Sequence, residues 1–310
     1  MATMPSAPRR FSFRPRPTCI CGGPLGATSV ERRVPQPWGD VIFKSCEACG
    51  SWCQSPEIEP ASLAAWYDSD SYQGSSQQSG GAYQNYAADE AARLLEARER
   101  FTRDIAPFLP HGGSAILEIG CASGSLLVAA REAGHVVTGV DLSPRFAEQA
   151  RSCNGIDVRV GDFLTLPWPV SAFDAVLMFG TASNLSNLPE VLRKIRRLLR
   201  PDGRLFLNFP PCDTWVARWY GQRFWMFAPS ANTFSSIRGM RQCATGSGWI
   251  VEAESMDRQR PSWAKLLKHA RLTSIIPRGL RALLSSDLVP FRVPIPAVHL
   301  LRLRPAPRSL

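Results

Sequence analysis

Two groups of residues in this chain have the types and spacing to do chemistry. The first is the stretch Ile116-Leu117-Glu118-Ile119-Gly120-Cys121-Ala122-Ser123-Gly124-Ser125, in which an apolar run ends in an acid and a Gly-x-x-x-Gly turn. Glycines between a strand and a helix let a ligand approach the backbone closely, in the crevice at the carboxyl ends of parallel strands. A pyrophosphate loop would read Gly-x-Gly-x-x-Gly and place phosphate on the helix N-terminus. A carboxylate beside the loop suits a ligand with positive charge instead. Asp141 follows the next apolar run, where an acid roughly 20 residues past the loop can accept both hydroxyls of a ribose. The third run leads into Gly161-Asp162-Phe163, offering an acceptor for an exocyclic amine and an aromatic face for a purine. Each acid alone is an ordinary loop or cap residue; three at successive strand ends point to one ligand.

The second group is cysteine. Five of the nine lie in the first 53 residues (Cys19, Cys21, Cys46, Cys49, Cys53), while Cys121, Cys153, Cys212 and Cys243 are scattered singly. Cys46-Glu47-Ala48-Cys49-Gly50 is a knuckle in which two thiolates reach one ion and the Gly lets the chain turn behind them. Its partner, Cys19-Ile20-Cys21-Gly22-Gly23, has one residue between the thiols, a tighter geometry that leaves Cys53 as a substitute for Cys19 or Cys21. Met1 to Pro17 is Arg- and Pro-rich and lacks the apolar core of an export signal, so reduced thiols are expected. A structural zinc site at Cys19, Cys21, Cys46 and Cys49 is favoured over free thiols. Such a site folds a segment too poor in apolar residues to fold alone and performs no chemistry.

The elements that must position these groups follow from hydrophobic pattern. Apolar runs at Ala115–Ile119, Val136–Val140, Ile156–Val160, Phe173–Phe179 and Gly203–Phe209 alternate with helical stretches, which predicts βαβ units and a mainly parallel sheet covered on both faces. Ser143-Pro144 is an N-cap followed by Pro at the first helical position. From Leu188 to Leu199 the apolar residues share one face, and Arg193, Lys194, Arg196, Arg197 and Arg200 lie on the other, expected to be solvated. Trp249–Glu254 and Ala297–Leu303 are expected as the last two strands. The organisation is a basic tail over 1–17, a zinc-ribbon-like segment over 18–68, a polar linker over 69–85, and an α/β domain over 86–310.

Charge sharpens this division. The chain of 310 residues carries a net charge of +10, with 45% hydrophobic and 20% charged residues. That balance supports a real core and excludes fibrous, disordered and disulfide-scaffold classes; no window reaches about 18 consecutive apolar residues. Residues 257–310 carry 11 Lys and Arg against two Asp, and residues 1–17 four Arg, so the middle is slightly acidic. A cytoplasmic protein is expected.

Leu117 to Gly124, Gly139-Val140-Asp141-Leu142-Ser143, Gly161-Asp162-Phe163, Phe173-Asp174-Ala175-Val176 and Leu198-Leu199-Arg200-Pro201-Asp202-Gly203 resemble, in order and spacing, the motifs of class I S-adenosylmethionine-dependent methyltransferases. The cysteine segment, followed by Trp66-Tyr67-Asp68 and Tyr72, resembles a bacterial subgroup with an N-terminal zinc ribbon. The resemblance implies a Rossmann-like sheet with helices on both faces. It also implies that Glu118, Gly120, Cys121 and Gly124 line the methionine part of the cofactor, that Asp141 holds the ribose with Leu142 against the adenine, that Asp162 accepts from the adenine amine with Phe163 beside the ring, and that Phe179 and Gly180 sit near the sulfonium. Ala122 stands where many members have a middle Gly.

Transfer from a sulfonium is an in-line displacement in which alignment and exclusion of water supply most of the acceleration. Many relatives place a His after the fourth strand; here the stretch is Gly180-Thr181-Ala182-Ser183-Asn184-Leu185. His111, His135, His269 and His299 lie elsewhere, Asp213 and Tyr220 are weak candidates for proton acceptors, and the catalytic residue is left unassigned. The aromatic insertion 210–236 is expected over the cleft, where Trp215, Trp219, Tyr220, Phe224, Trp225, Phe227 and Phe234 would stack on a sugar, base or lipid, or simply pack. The basic amphipathic segment 257–290 would pack on the domain or lie on an anionic membrane surface. Methyl transfer to a small-molecule, sugar or lipid-linked acceptor is the expected activity. An RNA methyltransferase and a non-catalytic cofactor-binding protein are the alternatives; against nucleic acid stand the near-neutral middle and the lack of an Asn-Pro-Pro-Tyr type motif.

Overall fold

The structure is a computed structural model that describes residues 11–35, 39–69, 90–110, 112–220, 231–259 and 293–307. Seven strands make the main sheet: β6 (Ala115–Ile119), β7 (Val136–Asp141), β8 (Val158–Val160), β9 (Phe173–Met178), β10 (Leu199–Phe209), β12 (Trp249–Gln259) and β13 (Val293–Pro305). Their spatial order is β12-β13-β10-β9-β6-β7-β8. β13 runs antiparallel to both its neighbours, and the other pairs are parallel. The chain leaves β6 toward β7 and β8 on one side and returns to β9 and β10 on the other. That reversal opens a crevice at the carboxyl ends of β6 and β9.

The helices form where the pattern predicts. α3 (Ser125–Glu132) follows the Gly loop, and α4 (Pro144–Asn154) starts on Ser143, whose Oγ accepts the Phe146 N–H. α5 (Leu188–Leu198) buries Leu188, Val191, Leu192, Ile195 and Leu198 in the main core. Its basic flank is less solvated than expected. Lys194 Nζ donates to the carbonyls of Phe163, Leu164 and Leu166 at 2.7 to 2.9 Å, and Arg196 donates to Ala306 O, so these cations clamp loops. α2 (Glu90–Arg100) runs into a π-turn at Phe101–Ile105 and covers the other face of the sheet.

The cysteine segment does not stand apart from this body. β2 (Glu31–Val34), β3 (Val41–Ser45) and β4 (Trp52–Gln54) form an antiparallel sheet whose fourth strand, β11 (Thr233–Phe234), comes from the far side of the chain. A separate pair, β1 (Phe13–Arg14) and β5 (Glu57–Ile58), precedes α1 (Pro60–Tyr67). Phe234 is fully buried 5.5 Å from Phe43, in a core with Phe11, Trp66 and Ala231. The insertion expected over the cleft therefore supplies, in its described part, a strand and core residues to the cysteine-bearing sheet. Trp215 and Trp219, on α6 (Trp215–Tyr220), remain 69% and 81% exposed. Residues 70–85 of the linker, 221–230 of the insertion and 260–290 of the amphipathic segment lie outside the described residues. Among the described residues no helix is long and apolar enough to cross a membrane.

Phe234→Ala would open a cavity at this seam and is expected to destabilise the protein by about 3–5 kcal/mol, read from urea unfolding. A loss below about 1 kcal/mol would show that β11 does not hold the two sheets together.

Candidate functional site

The loop between β6 and α3 is built from backbone that only particular residues accept. Gly120 has φ +71°, and a Cβ there would lie 2.3 Å from Thr181 Oγ1, so glycine is required both by conformation and by the close approach of the turn after β9. Gly124 also lies in the left-handed region, at φ +77°. Ala122, standing where relatives often have Gly, has φ +47°. That conformation costs a non-glycine residue about 1–2 kcal/mol. It is held by a hydrogen bond from the Ala122 N–H to Asp141 Oδ2 at 2.8 Å.

Glu118 and Asp141 come together at this loop. Asp141 also accepts the Ser143 N–H on Oδ1 at 2.9 Å, so backbone donors reach both of its oxygens and leave it lone-pair capacity. Burial raises its carboxyl above the ordinary range, and the N–H groups of Ser143, Ala122 and Leu142 pull it back. Glu118 is 5% exposed and its Oε2 has no hydrogen-bond partner. Burial pushes its carboxyl well up, the Asp141 charge adds to this, and Arg100 opposes both. An orphaned buried acceptor in a glycine-walled crevice fits a cationic donor from a ligand.

The other expected ligand residues divide. Leu142 is half-buried beside Asp141, and Phe179 lies at the end of β9 with the Arg100 guanidinium 4.8 Å from its ring centre. The Asp162 carboxylate accepts the Leu164 N–H at 2.9 Å and shapes the loop after β8. The Phe163 ring is 3% exposed, 5.7 Å from Trp168 and covered by Lys194. Core packing already occupies the aromatic face expected beside a purine. The Cys121 thiol turns away from the crevice into the core with Leu127, Val128 and Ile156, and only glycine at 139 leaves it room.

Four residues absent from the sequence expectations join the site. Arg100 binds the fully buried Asp257 carboxylate, and Asn208 links that carboxylate to the Gly180 N–H. Glu90 accepts from Ser123, Ser125 and Asn154, tying α2 to the Gly loop. A lone Asn inside the apolar strand Leu205–Phe209 was the one readable signal; the ion pair joins residues 157 positions apart.

The candidate proton acceptors are used elsewhere. Both Asp213 oxygens accept the Ile237 N–H and cap the first turn of α7 (Ile237–Gly246). His299 Nδ1 is 3.1 Å from Glu254, and His135 packs on Phe101 before β7. His111, His269 and the Tyr220 side chain lie outside what is described.

The four sulfurs of Cys19, Cys21, Cys46 and Cys49 lie within 4.8 Å of one another, with Cys19–Cys49 and Cys21–Cys46 both at 3.6 Å. Zinc–sulfur bonds of about 2.3 Å in a tetrahedron give sulfur separations of about 3.8 Å, so the donor set has the size and softness for such an ion. Gly23 is packed so closely that a Cβ would meet Cys46 Sγ at 3.0 Å. Cys53 Sγ approaches Cys19 at 3.5 Å and lies outside the mutual group of four. The knuckle is seated on α7: Ser236 Oγ donates to Cys49 O, and Gly239 leaves room for Cys49 and Ser51.

Residues 117–207 match the methyltransferase-domain family. The 27-O-demethylrifamycin SV methyltransferase of Amycolatopsis mediterranei is 34% identical over 135 residues, 41% of this chain and 50% of that protein. A demethylmenaquinone methyltransferase of Tropheryma whipplei is 37% identical over 115 residues, 35% of this chain and 47% of that one. The chain thus spans about half the length of these relatives. Among solved structures, a chain of the complex between the Haloferax volcanii Trm112 methyltransferase activator and a methyltransferase superposes with a TM-score of 0.51 at 16% identity, covering 73% of this chain and 96% of that one. That likeness confirms the fold.

Because the folded state holds the Glu118 proton more tightly than the unfolded chain, Glu118 favours folding below its ordinary value of 4.5, and this advantage is lost as pH rises through the folded value. Glu118→Gln cannot ionise and keeps it. Urea midpoints of the variant and the parent should coincide near about pH 4 and separate at about pH 8, with the variant unfolding at the higher urea concentration. Coincident midpoints at both values would mean that Glu118 ionises freely in the fold.

Proposed function

We propose that this chain, whose central segment is a class I methyltransferase domain, transfers a methyl group from S-adenosylmethionine to a small-molecule acceptor. The observation that carries the proposal is the pair Glu118 and Asp141 at the switch point of the sheet, a buried orphan acceptor beside a half-satisfied carboxylate. Together they suit an ammonium and vicinal hydroxyls. When bound, the cofactor supplies a methyl on a sulfonium, whose leaving group needs no proton. The residues of the chain bind and orient. Glu118 accepts from the ammonium of the methionine part, the Gly120–Gly124 loop gives close backbone approach, and Asp141 receives the ribose hydroxyls. Leu142 packs on the adenine, Asp162 receives its amine on the oxygen that Leu164 leaves free, and Phe179 walls the methyl end.

The acceptor is read as a small molecule, with sugar and lipid-linked compounds inside that class, because the relatives named above are methyltransferases of small molecules. No general base is assigned. An acceptor that already carries a lone pair, or an acidic hydroxyl, needs none from the protein. The four-thiol cluster is read as a structural zinc site: it sits in the small β2–β4 sheet and bonds to the start of α7, so its role is to hold that sheet on the methyltransferase body.

Two measurements check these readings. Calorimetry should show S-adenosylmethionine binding to the parent protein and at least about tenfold weaker binding to Asp141→Ala, the loss expected for hydrogen bonds to a charged acceptor; no binding by the parent sinks the activity. Metal analysis of freshly purified protein should find one zinc per chain, reduced in Cys46→Ser, and substoichiometric metal in the parent removes the zinc reading.

A further inference from the structure

The carboxyl ends of β9, β10 and β12 share a polar chain that none of the roles above uses. Asp257 sits in β12 at a break of register between Met256 and Arg258. Such irregularities re-aim a side chain, and here the carboxylate reaches inward past β13 to full burial. Arg100 Nη1 donates to its two oxygens at 2.8 and 2.9 Å, and Asn208 Nδ2 to one of them at 3.1 Å. Asn208 Oδ1 accepts the Gly180 N–H at 2.6 Å, and Gly180 holds a φ of +71°. The other side of the Arg100 guanidinium faces the Phe179 ring. The chain therefore ends on Phe179 and Gly180, the two residues at the methyl end of the crevice.

Stability does not require an ion pair here. Replacing a buried pair with apolar residues of similar volume is often neutral or favourable, whereas removing one partner leaves a buried charge uncompensated. Arg100 also acts on Glu118, so its charge is felt inside the cofactor crevice, and Asp257 offsets that charge more strongly than Asp104 and Glu96 do. A methyl donor enters as a sulfonium and leaves as a neutral thioether, losing one positive charge. An uncompensated guanidinium behind Phe179 would oppose the first form and not the second.

We propose that Asp257 is a positioning residue for methyl transfer: it cancels the Arg100 charge behind Phe179 so that the site accepts a sulfonium, and through Asn208 it fixes the Gly180 backbone. The inference rests on the methyl-transfer reading. It also links the crevice to the point where β12 hands over to the basic segment that follows.

The test compares binding of S-adenosylmethionine and S-adenosylhomocysteine, which differ at the sulfonium, to the full-length protein and its variants by calorimetry. Asp257→Asn should weaken S-adenosylmethionine about tenfold while changing S-adenosylhomocysteine less than about threefold. Adding Arg100→Met to that variant should restore the parental ratio. Equal weakening of both ligands assigns Asp257 a purely structural role and overturns the inference, as does no change in either. Should Asp257→Asn lack the parental circular dichroism spectrum, Asp257→Ser decides, since it also leaves Arg100 without its carboxylate and should weaken S-adenosylmethionine about tenfold relative to S-adenosylhomocysteine; an unchanged ratio overturns the inference. A parent protein that binds neither ligand removes the methyl-transfer reading itself, whereas one that binds both with variant-independent ratios removes only the role of Asp257.

Discussion

The burial of two carboxyls at adjacent strand ends governs the arrangement of this site. Glu118 and Asp141 are brought together because β6 and β7 pair in parallel with Ile119 opposite Val140, so both acids emerge at one edge of the sheet. Removing them from water costs each its hydration, and the Asp141 charge makes Glu118 harder still to ionise. The surroundings answer this unequally. Asp141 receives backbone N–H groups, at the expense of a left-handed Ala122, while Glu118 keeps an unpartnered oxygen and only the more distant field of Arg100. The protein without ligand thus carries a destabilised pocket, as functional sites commonly do. On the methyl-transfer reading, a ligand with a positive charge and two hydroxyls would relieve it.

A second constraint is that small sheets cannot bury enough surface to stand alone. The cysteine-bearing segment meets it in two ways. Thiols from two hairpin turns converge on one point, and β11 crosses from the insertion after β10 to extend the sheet. Phe234, Phe43 and Trp66 then form a core built from both ends of the chain. Ser236 joins the two devices, capping α7 with one side chain and holding the Cys49 carbonyl with the same oxygen. Holding the cysteine cluster and holding the wall of the α/β body are in this way one structural task.

The legible parts of the fold were those encoded locally. Strands with continuous apolar runs, such as Val176-Leu177-Met178, are buried on both faces and announce a parallel sheet without reference to anything else. Gly120 was readable because no other residue tolerates its φ with Thr181 so near, and Ser143 because a cap followed by Pro is a signal within three residues. Phe163 shows what local pattern leaves out. Its type and position suit a purine, and its ring packs against Trp168 and Lys194, five and thirty-one residues away. Cys121 is similar, since its thiol fills a gap that exists only because residue 139 on the neighbouring strand is glycine.

The sequence by itself determined the order of strands and helices, the glycine loop with its acids, and the cysteines able to share an ion, because each depends on neighbours in the chain or on residue type. Tertiary structure alone decided which of those residues face the crevice, that the aromatic insertion completes the cysteine-bearing sheet, and that Arg100, Asn208 and Asp257 meet behind Phe179. These are contacts between elements far apart in sequence, fixed by sheet order and packing, and no local pattern of spacing carries them.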